Sequence, residues 1–212
     1  MLFLKRFAQG ELRLGRIEAF SDGVFAIIVT LLVLDLRVPE LHEPISTSDL
    51  GEQLILLLPK FLSWLISFVI VCKFWLNHHY ALGLARHANY GMVWLNSIFL
   101  MFQSFVPFPT ALMGEYPTNP LAVSLFGIVM SFNTVLFIVL QSYIIRNLLK
   151  PELVEEIDPR LTRKSLSGPA GYLLGAALAW FSVHAAFLFY ILTPLLFITP
   201  PSRPKAEISH PG

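Results

Sequence analysis

Residues 16–36 read RIEAFSDGVFAIIVTLLVLDL: an arginine, a serine and an aspartate ahead of an apolar run that holds a single threonine. Wound as a helix at 1.5 Å per residue, the run is about as long as a hydrocarbon core is thick. With Ile27 at zero on a wheel of 100° per residue, Leu31, Leu34, Gly23 and Thr30 fall at about 40°, −20°, −40° and −60°. These five residues form one stripe. Asp22 falls at about −140°, almost opposite. If the stripe lines a central path, Asp22 is expected to point back into protein.

An ionised carboxylate near hydrocarbon is costly unless it is paired, hydrogen-bonded or wet. Arg16 lies six residues earlier and about 120° away, so the same helix presents it poorly. A better source is KFWLNHHYALG, residues 73–83, which offers Asn77, His78 and His79. A contact between Asp22 or Ser21 and one of these histidines is therefore expected. The same residues also read more plainly. Ser-Asp-Gly can cap a helix at the membrane boundary with Arg16 as an anchor. Ile27, Leu31 and Leu34 can face lipid or packing, and Thr30 can bond back to a carbonyl one turn earlier.

The composition places this helix in a membrane. Of 212 residues, 55% are hydrophobic and 14% are charged, where a soluble domain carries roughly 25% charged. Mean hydropathy is +0.66. The net charge of +1 says nothing about nucleic acid, and no Lys/Arg-rich face supports such a partner, so none is expected. The one cysteine, Cys72, leaves no internal disulfide. The N-terminal residues, short and basic, are not expected to form a removable signal peptide.

Apolar runs predict spans at residues 17–36, 54–77, 92–113 and 121–145. A further apolar region, residues 166–199, would reach roughly 50 Å as one helix. Loop charge decides its division. Lys5, Arg6, Arg13 and Arg16 precede the first span, Arg86 follows the second, Arg146, Lys150, Arg160, Arg163 and Lys164 follow the fourth, and Arg203 and Lys205 lie in the tail. The first connection holds only Arg37, and GEYPTNP holds no basic residue. Positive charge stays cytoplasmic, so both termini are expected inside and the number of spans even. The last region then divides near Ser182–His184 into spans at 168–181 and 185–199; the alternative is one tilted, kinked helix broken near Pro194. Residues 146–165 are expected as a cytoplasmic loop with one short interfacial helix. The expected fold is a single all-α membrane domain over residues 1–212 with six transmembrane helices.

RIEAFSDG followed by an apolar helix resembles the signature of the transmembrane protein 175 family, lysosomal potassium channels and their smaller prokaryotic relatives. That signature is matched by Arg16, Phe20, Ser21 and Asp22; KFWLNHHYAL and LNSIFLMFQSFVPFPTALMGEY (residues 95–116) are further matches. The resemblance covers residues 13–200. It implies a homotetramer in the lipid bilayer, with the first helices around a central pore, and passive potassium-selective conduction without a carbonyl-loop filter. No TVGYG-like loop occurs in the chain. It also implies that Ile27, Leu31 and Leu34 form apolar gating rings, that Thr30 forms a selectivity layer, and that Arg16, Phe20, Ser21, Asp22 and His78 or His79 fix the first helix. The location implied is the bacterial inner membrane. The permeant potassium ion is the expected ligand, with no cofactor and no metal.

Two alternatives are a secondary transporter and a proton-permeable cation channel. A transporter calls for broken helices and ionisable groups near mid-membrane, where this chain offers chiefly Asn96, Gln103, Asn133 and Gln141. An enzyme is not expected. His78 and His79 are adjacent and lack the i, i+4 spacing of helical metal ligands, and no constellation of nucleophile, base and acid emerges.

Overall fold

The computed structural model of the chain describes residues 13–40, 46–154 and 165–195. Among them, regular structure is helical apart from one isolated β-bridge between Ala85 and Leu149. The helices are α1 (Leu14–Leu32), α2 (Thr47–Leu56), α3 (Leu58–Gly83), α4 (Tyr90–Ser104), α5 (Pro107–Glu115), α6 (Pro120–Asn147), α7 (Ser167–Leu178) and α8 (Val183–Leu195). Short 3₁₀ turns follow α1 at Val33–Asp35 and α6 at Pro151–Leu153.

Four stretches are long and apolar enough to cross a membrane: Leu14–Asp35, Leu58–Gly83, Tyr90–Glu115 and Pro120–Asn147. Their bounds follow from local chemistry. Asn89 and Asn119 accept backbone N–H bonds from Met92 and Leu121, capping α4 and α6. Pro107 and Pro120 open α5 and α6, where a missing N–H leaves no helical bond unmade.

Two departures from the expected spans have physical causes. Residues 54–56 belong not to the second span but to α2, which a capping box starts: Ser46 Oγ accepts from the Asp49 amide while Asp49 reaches back to the Ser46 amide. The second span then continues past Asn77 to Gly83, so the Asn-His-His run lies within the helix. The third span is interrupted at Phe105 and Val106. Pro107 cannot donate, and the backbone steps across with i to i+3 bonds from Phe105 to Phe102 and from Val106 to Gln103.

Helices α7 and α8 hold 12 and 13 residues, so each reaches only about 18–20 Å. They form a short hairpin against α6. Ser124 and Ser131 of α6 donate to the carbonyls of Ala176 and Pro169 at 2.7 and 3.1 Å, which sets α7 antiparallel to α6. Tyr190 of α8 is fully buried, donates to the Val123 carbonyl at 2.9 Å, and lies over Gly127 and Gly175. Between membrane helices, where lipid is as apolar as leucine, such small residues and interhelical hydroxyl bonds supply the association. A Cβ on Gly127 would meet the Tyr190 hydroxyl and come within 2.8 Å of the Tyr172 carbonyl oxygen. Gly127→Val is therefore expected to destabilise the protein by roughly 1–3 kcal/mol, read as a lowered melting temperature in detergent; an unchanged melting curve would refute this packing.

The long helices are tied near both ends. At one end Lys60 of α3 pairs with Glu115 of α5. Thr110 of α5 donates to Ser67 at 2.8 Å further along the same contact. At the other, the Lys150 ammonium donates to the Gly83 carbonyl at 2.7 Å, placing a cation at the negative C-terminus of α3. Backbone bonds from Arg86 to Leu148 and from Lys150 to Leu84 complete that tie. Helix α6 is the centre of the bundle, with 56% of its most apolar stretch buried, against 22% for α1. Of the loop in which a short interfacial helix is expected, residues 155–164 lie outside the described residues, as do residues 196–199 of the last expected span and the basic tail.

Candidate functional site

Helix α1 packs through one narrow face. Ser21, Phe25, Ile28 and Leu32 are 0%, 2%, 1% and 2% exposed. On the wheel used above they centre at about 130°. The stripe opposite is open: Ile27, Leu31 and Leu34 are 59%, 44% and 67% exposed, and Thr30 and Gly23 are exposed with them. Leu34 stands in the 3₁₀ turn beyond the α-helix. The tighter winding there, about 120° per residue, rotates it by roughly 40° and leaves it on the stripe.

Thr30 Oγ1 donates to the carbonyls of Ile27 and Ala26 at 2.8 and 3.1 Å. The hydroxyl proton is thus turned toward the helix. The oxygen lone pairs remain on the open face.

The packed face carries a buried polar relay across three helices. Ser21 Oγ donates to the Ile17 carbonyl at 2.8 Å and accepts from Asn96 Nδ2 of α4 at 3.0 Å. Asn96 Oδ1 accepts from His78 Nε2 of α3 at 2.6 Å. Because the amide oxygen only accepts, the proton on His78 resides on Nε2. Ser21, Asn96 and His78 are 0%, 2% and 1% exposed. Aromatic rings close around the relay, with Phe25 and Phe99 5.5 and 5.6 Å from the His78 ring. The contacts Ser21–Asn96 and Phe25–Phe99 advance together along α1 and α4, so the two helices run parallel and in register.

Of the predicted anchor residues, Ser21 and His78 meet through Asn96 rather than directly. Asp22 does not bond to a histidine: its Oδ1 accepts from the Trp75 indole N–H at 2.8 Å. Asp22 reaches α3 from the edge of the bundle rather than from within it; it is exposed. The packed face is centred at about 130° and not at 180°, so a residue at −140° falls on its flank. His79 is exposed and lies against Trp75, ring centroids 6.1 Å apart. Arg16 and Phe20 are also exposed, and Arg16 forms no ion pair among the described residues.

The two partners that sequence reasoning did not assign to this network are Asn96 and Trp75. Asn96 carried a signal, an amide in an apolar span level with Ser21. Trp75 carried none, since its partner depends on how α1 and α3 are aligned.

The likeness to known proteins extends over this whole arrangement. A family model described as the endosomal/lysosomal potassium channel TMEM175 matches residues 16–107, from Arg16 through α4 to Pro107. A potassium channel of Chamaesiphon minutus is 37% identical over 187 residues, 84% of this chain and 91% of that one. A potassium channel of a Chryseobacterium species is 34% identical over 192 residues, covering 89% and 94%. The crystal structure of a lysosomal potassium-selective channel TMEM175 homologue from Chamaesiphon minutus superposes with a TM-score of 0.74 at 34% identity, over 87% of this chain and 95% of that one. Likeness of this degree over nearly the full length of both chains, in sequence and in fold, makes this multi-pass membrane protein a member of the TMEM175 family.

Proposed function

We propose that the chain is the subunit of a potassium-selective channel, a homotetramer in the bacterial inner membrane that conducts passively along a central pore lined by α1. The observation that carries this reading is the division of α1 into a packed face and an open apolar stripe. The relatives of nearly equal length named as potassium channels supply the ion. In the proposed assembly each subunit contributes six membrane helices, α7 and α8 among them, and both termini are cytoplasmic. The least buried span in the subunit is then the one that meets its copies around the axis.

On this arrangement Ile27, Leu31 and Leu34 stack as apolar rings. A narrow apolar constriction excludes water, and with it ions, until it widens. Between the first two rings lies the only oxygen-bearing side chain of the stripe, that of Thr30. Four such hydroxyls, each with its proton committed to its own helix, present oxygen to a partly dehydrated cation. Asp22, Trp75 and the Ser21–Asn96–His78 relay hold α1 at the angle that keeps the stripe on the axis.

The test is electrical. Purified protein in a planar bilayer should pass a current whose reversal potential follows the potassium gradient; saturating flux that needs a coupled ion would instead indicate a transporter. In the same recordings Thr30→Val, which keeps shape and removes the oxygen, should shift the reversal potential under mixed potassium and sodium toward equal permeability. A shift of roughly 20 mV or more corresponds to a selectivity loss of at least about twofold. An unmoved potential removes Thr30 from the ion path.

A further inference from the structure

Single buried polar atoms of Ser63, Trp64 and Asn133 lack a hydrogen-bond partner among the described residues, and Gln103 lacks one at both ends of its amide. Gln103 is 0% exposed. Asn133 keeps one bond, to the Val129 carbonyl, and Asn96 is fully engaged in the relay. An amide sealed without partners is unfavourable, and in folded proteins such a group calls for a specific explanation.

Its position supplies one. Met92, Asn96, Phe99 and Gln103 form the buried stripe of α4, at the spacing that faces one neighbour. Asn96 and Phe99 of this stripe touch Ser21 and Phe25 of α1. Seven residues beyond Asn96, in parallel helices, Gln103 stands level with Ile28, seven beyond Ser21. It is therefore at the height of Ile27 and Leu31, behind the helix whose open face carries them. The backbone is broken immediately after it, at Phe105 and Val106 ahead of Pro107. Breaks of this kind at proline are where membrane helices bend.

We propose that Gln103 and the break that follows it form a hydration switch for the pore helix, in which the unpaired amide disfavours the present close packing and favours a second packing that lets water reach it. A widening of the α1–α4 contact at this height moves Ile27 and Leu31 together, because both ride on the same rigid helix. With no protein partner among the described residues in the close packing, the amide gains two or more hydrogen bonds in the packing that water enters. It shifts the population between them by the difference. The inference rests on the channel reading given above.

Gln103→Leu replaces the amide by an apolar group of similar size. The expected result is opposite movement of two quantities: the melting temperature in detergent rises by roughly 2–4 °C, and the open probability in single-channel recordings falls roughly tenfold. The reversal potential stays where it was. A variant that merely loosens a packed site would lower both stability and current, and one at a silent site would move neither; either outcome overturns the proposal. Gln103→Met, unbranched and closer in shape, carries the same expectation if the leucine variant fails to fold. Absence of potassium current from the unsubstituted protein would refute the channel reading itself, whereas a conducting protein with unchanged Gln103→Leu currents refutes only the switch.

Discussion

Leu31→Asn is expected to raise resting current by tenfold or more. In the proposed pore Leu31 is the middle apolar ring, and its side chain is 44% exposed on the open face of α1. The substitution touches none of the packed residues Ser21, Phe25, Ile28 and Leu32, so the subunit should fold and assemble as before. What changes is the interior of the constriction. A leucine side chain is worth roughly 1.5–3 kcal/mol of apolar free energy, and removal of about 1.4 kcal/mol from a barrier is already tenfold in rate. Four asparagines in one ring exceed that threshold comfortably, and their amides give water a foothold. Ile27→Asn should act in the same direction, whereas Ile28→Asn, one position along on the packed face, should chiefly lower stability. Single-channel recording at zero applied stimulus measures the first effect and a melting curve the second. Equal currents from Leu31→Asn and the unsubstituted protein would take the stripe out of the pore.

The stripe was legible because it depends on one helix and one angle. Ile27, Thr30 and Leu31 share a face by the winding of α1 alone, and the structure leaves that face open. The break between α7 and α8 was legible for a different reason: one helix through that apolar region would reach roughly 50 Å, and the region divides at residues 179–182, close to the expected Ser182–His184. Partners across helices were not legible. Ser21, Asn96 and His78 come from three spans, and no periodicity within a span fixes the sliding of one against another. Trp75 illustrates this most clearly, since an indole in an apolar helix is unremarkable until Asp22 is seen beside it. The interruption of the third span lay between the two: Pro107 and Pro109 were visible in the sequence, but a membrane helix tolerates proline where neighbours satisfy the freed groups. Helix α2 had its signal in Ser46 and Asp49, a capping box in a segment that reads as a loop by its charge alone.

Asn96→Leu should damage the buried relay, and a double substitution should show why. Leucine fills the volume but leaves the His78 Nε2–H facing hydrocarbon and takes one hydrogen bond from Ser21, which retains its bond to the Ile17 carbonyl. A hydrogen bond between membrane helices contributes only about 0.6 kcal/mol on average. If the lost bonds were all that mattered, the effect would be small. A buried donor left without a partner is a different matter, at roughly 1–3 kcal/mol. His78 is 1% exposed, between Phe25 and Phe99, so no water relieves it. Asn96→Leu is therefore expected to destabilise each subunit by about 1–3 kcal/mol, several degrees of melting temperature. His78→Phe in the same chain removes the stranded donor and extends the aromatic cluster, so the double variant should be more stable than Asn96→Leu alone. Strict additivity of the two substitutions would mean that Asn96 and His78 are not coupled. Restored stability should not restore normal conduction. Without the relay, only Asp22–Trp75 and apolar packing fix the rotation of α1. A turn of about 30° would carry Ile27 and Leu31 off the axis they are proposed to close. The double variant is thus expected to fold well and leak, separating two tasks of one helix: its packed face holds the chain together, and its orientation is proposed to keep the opposite face shut.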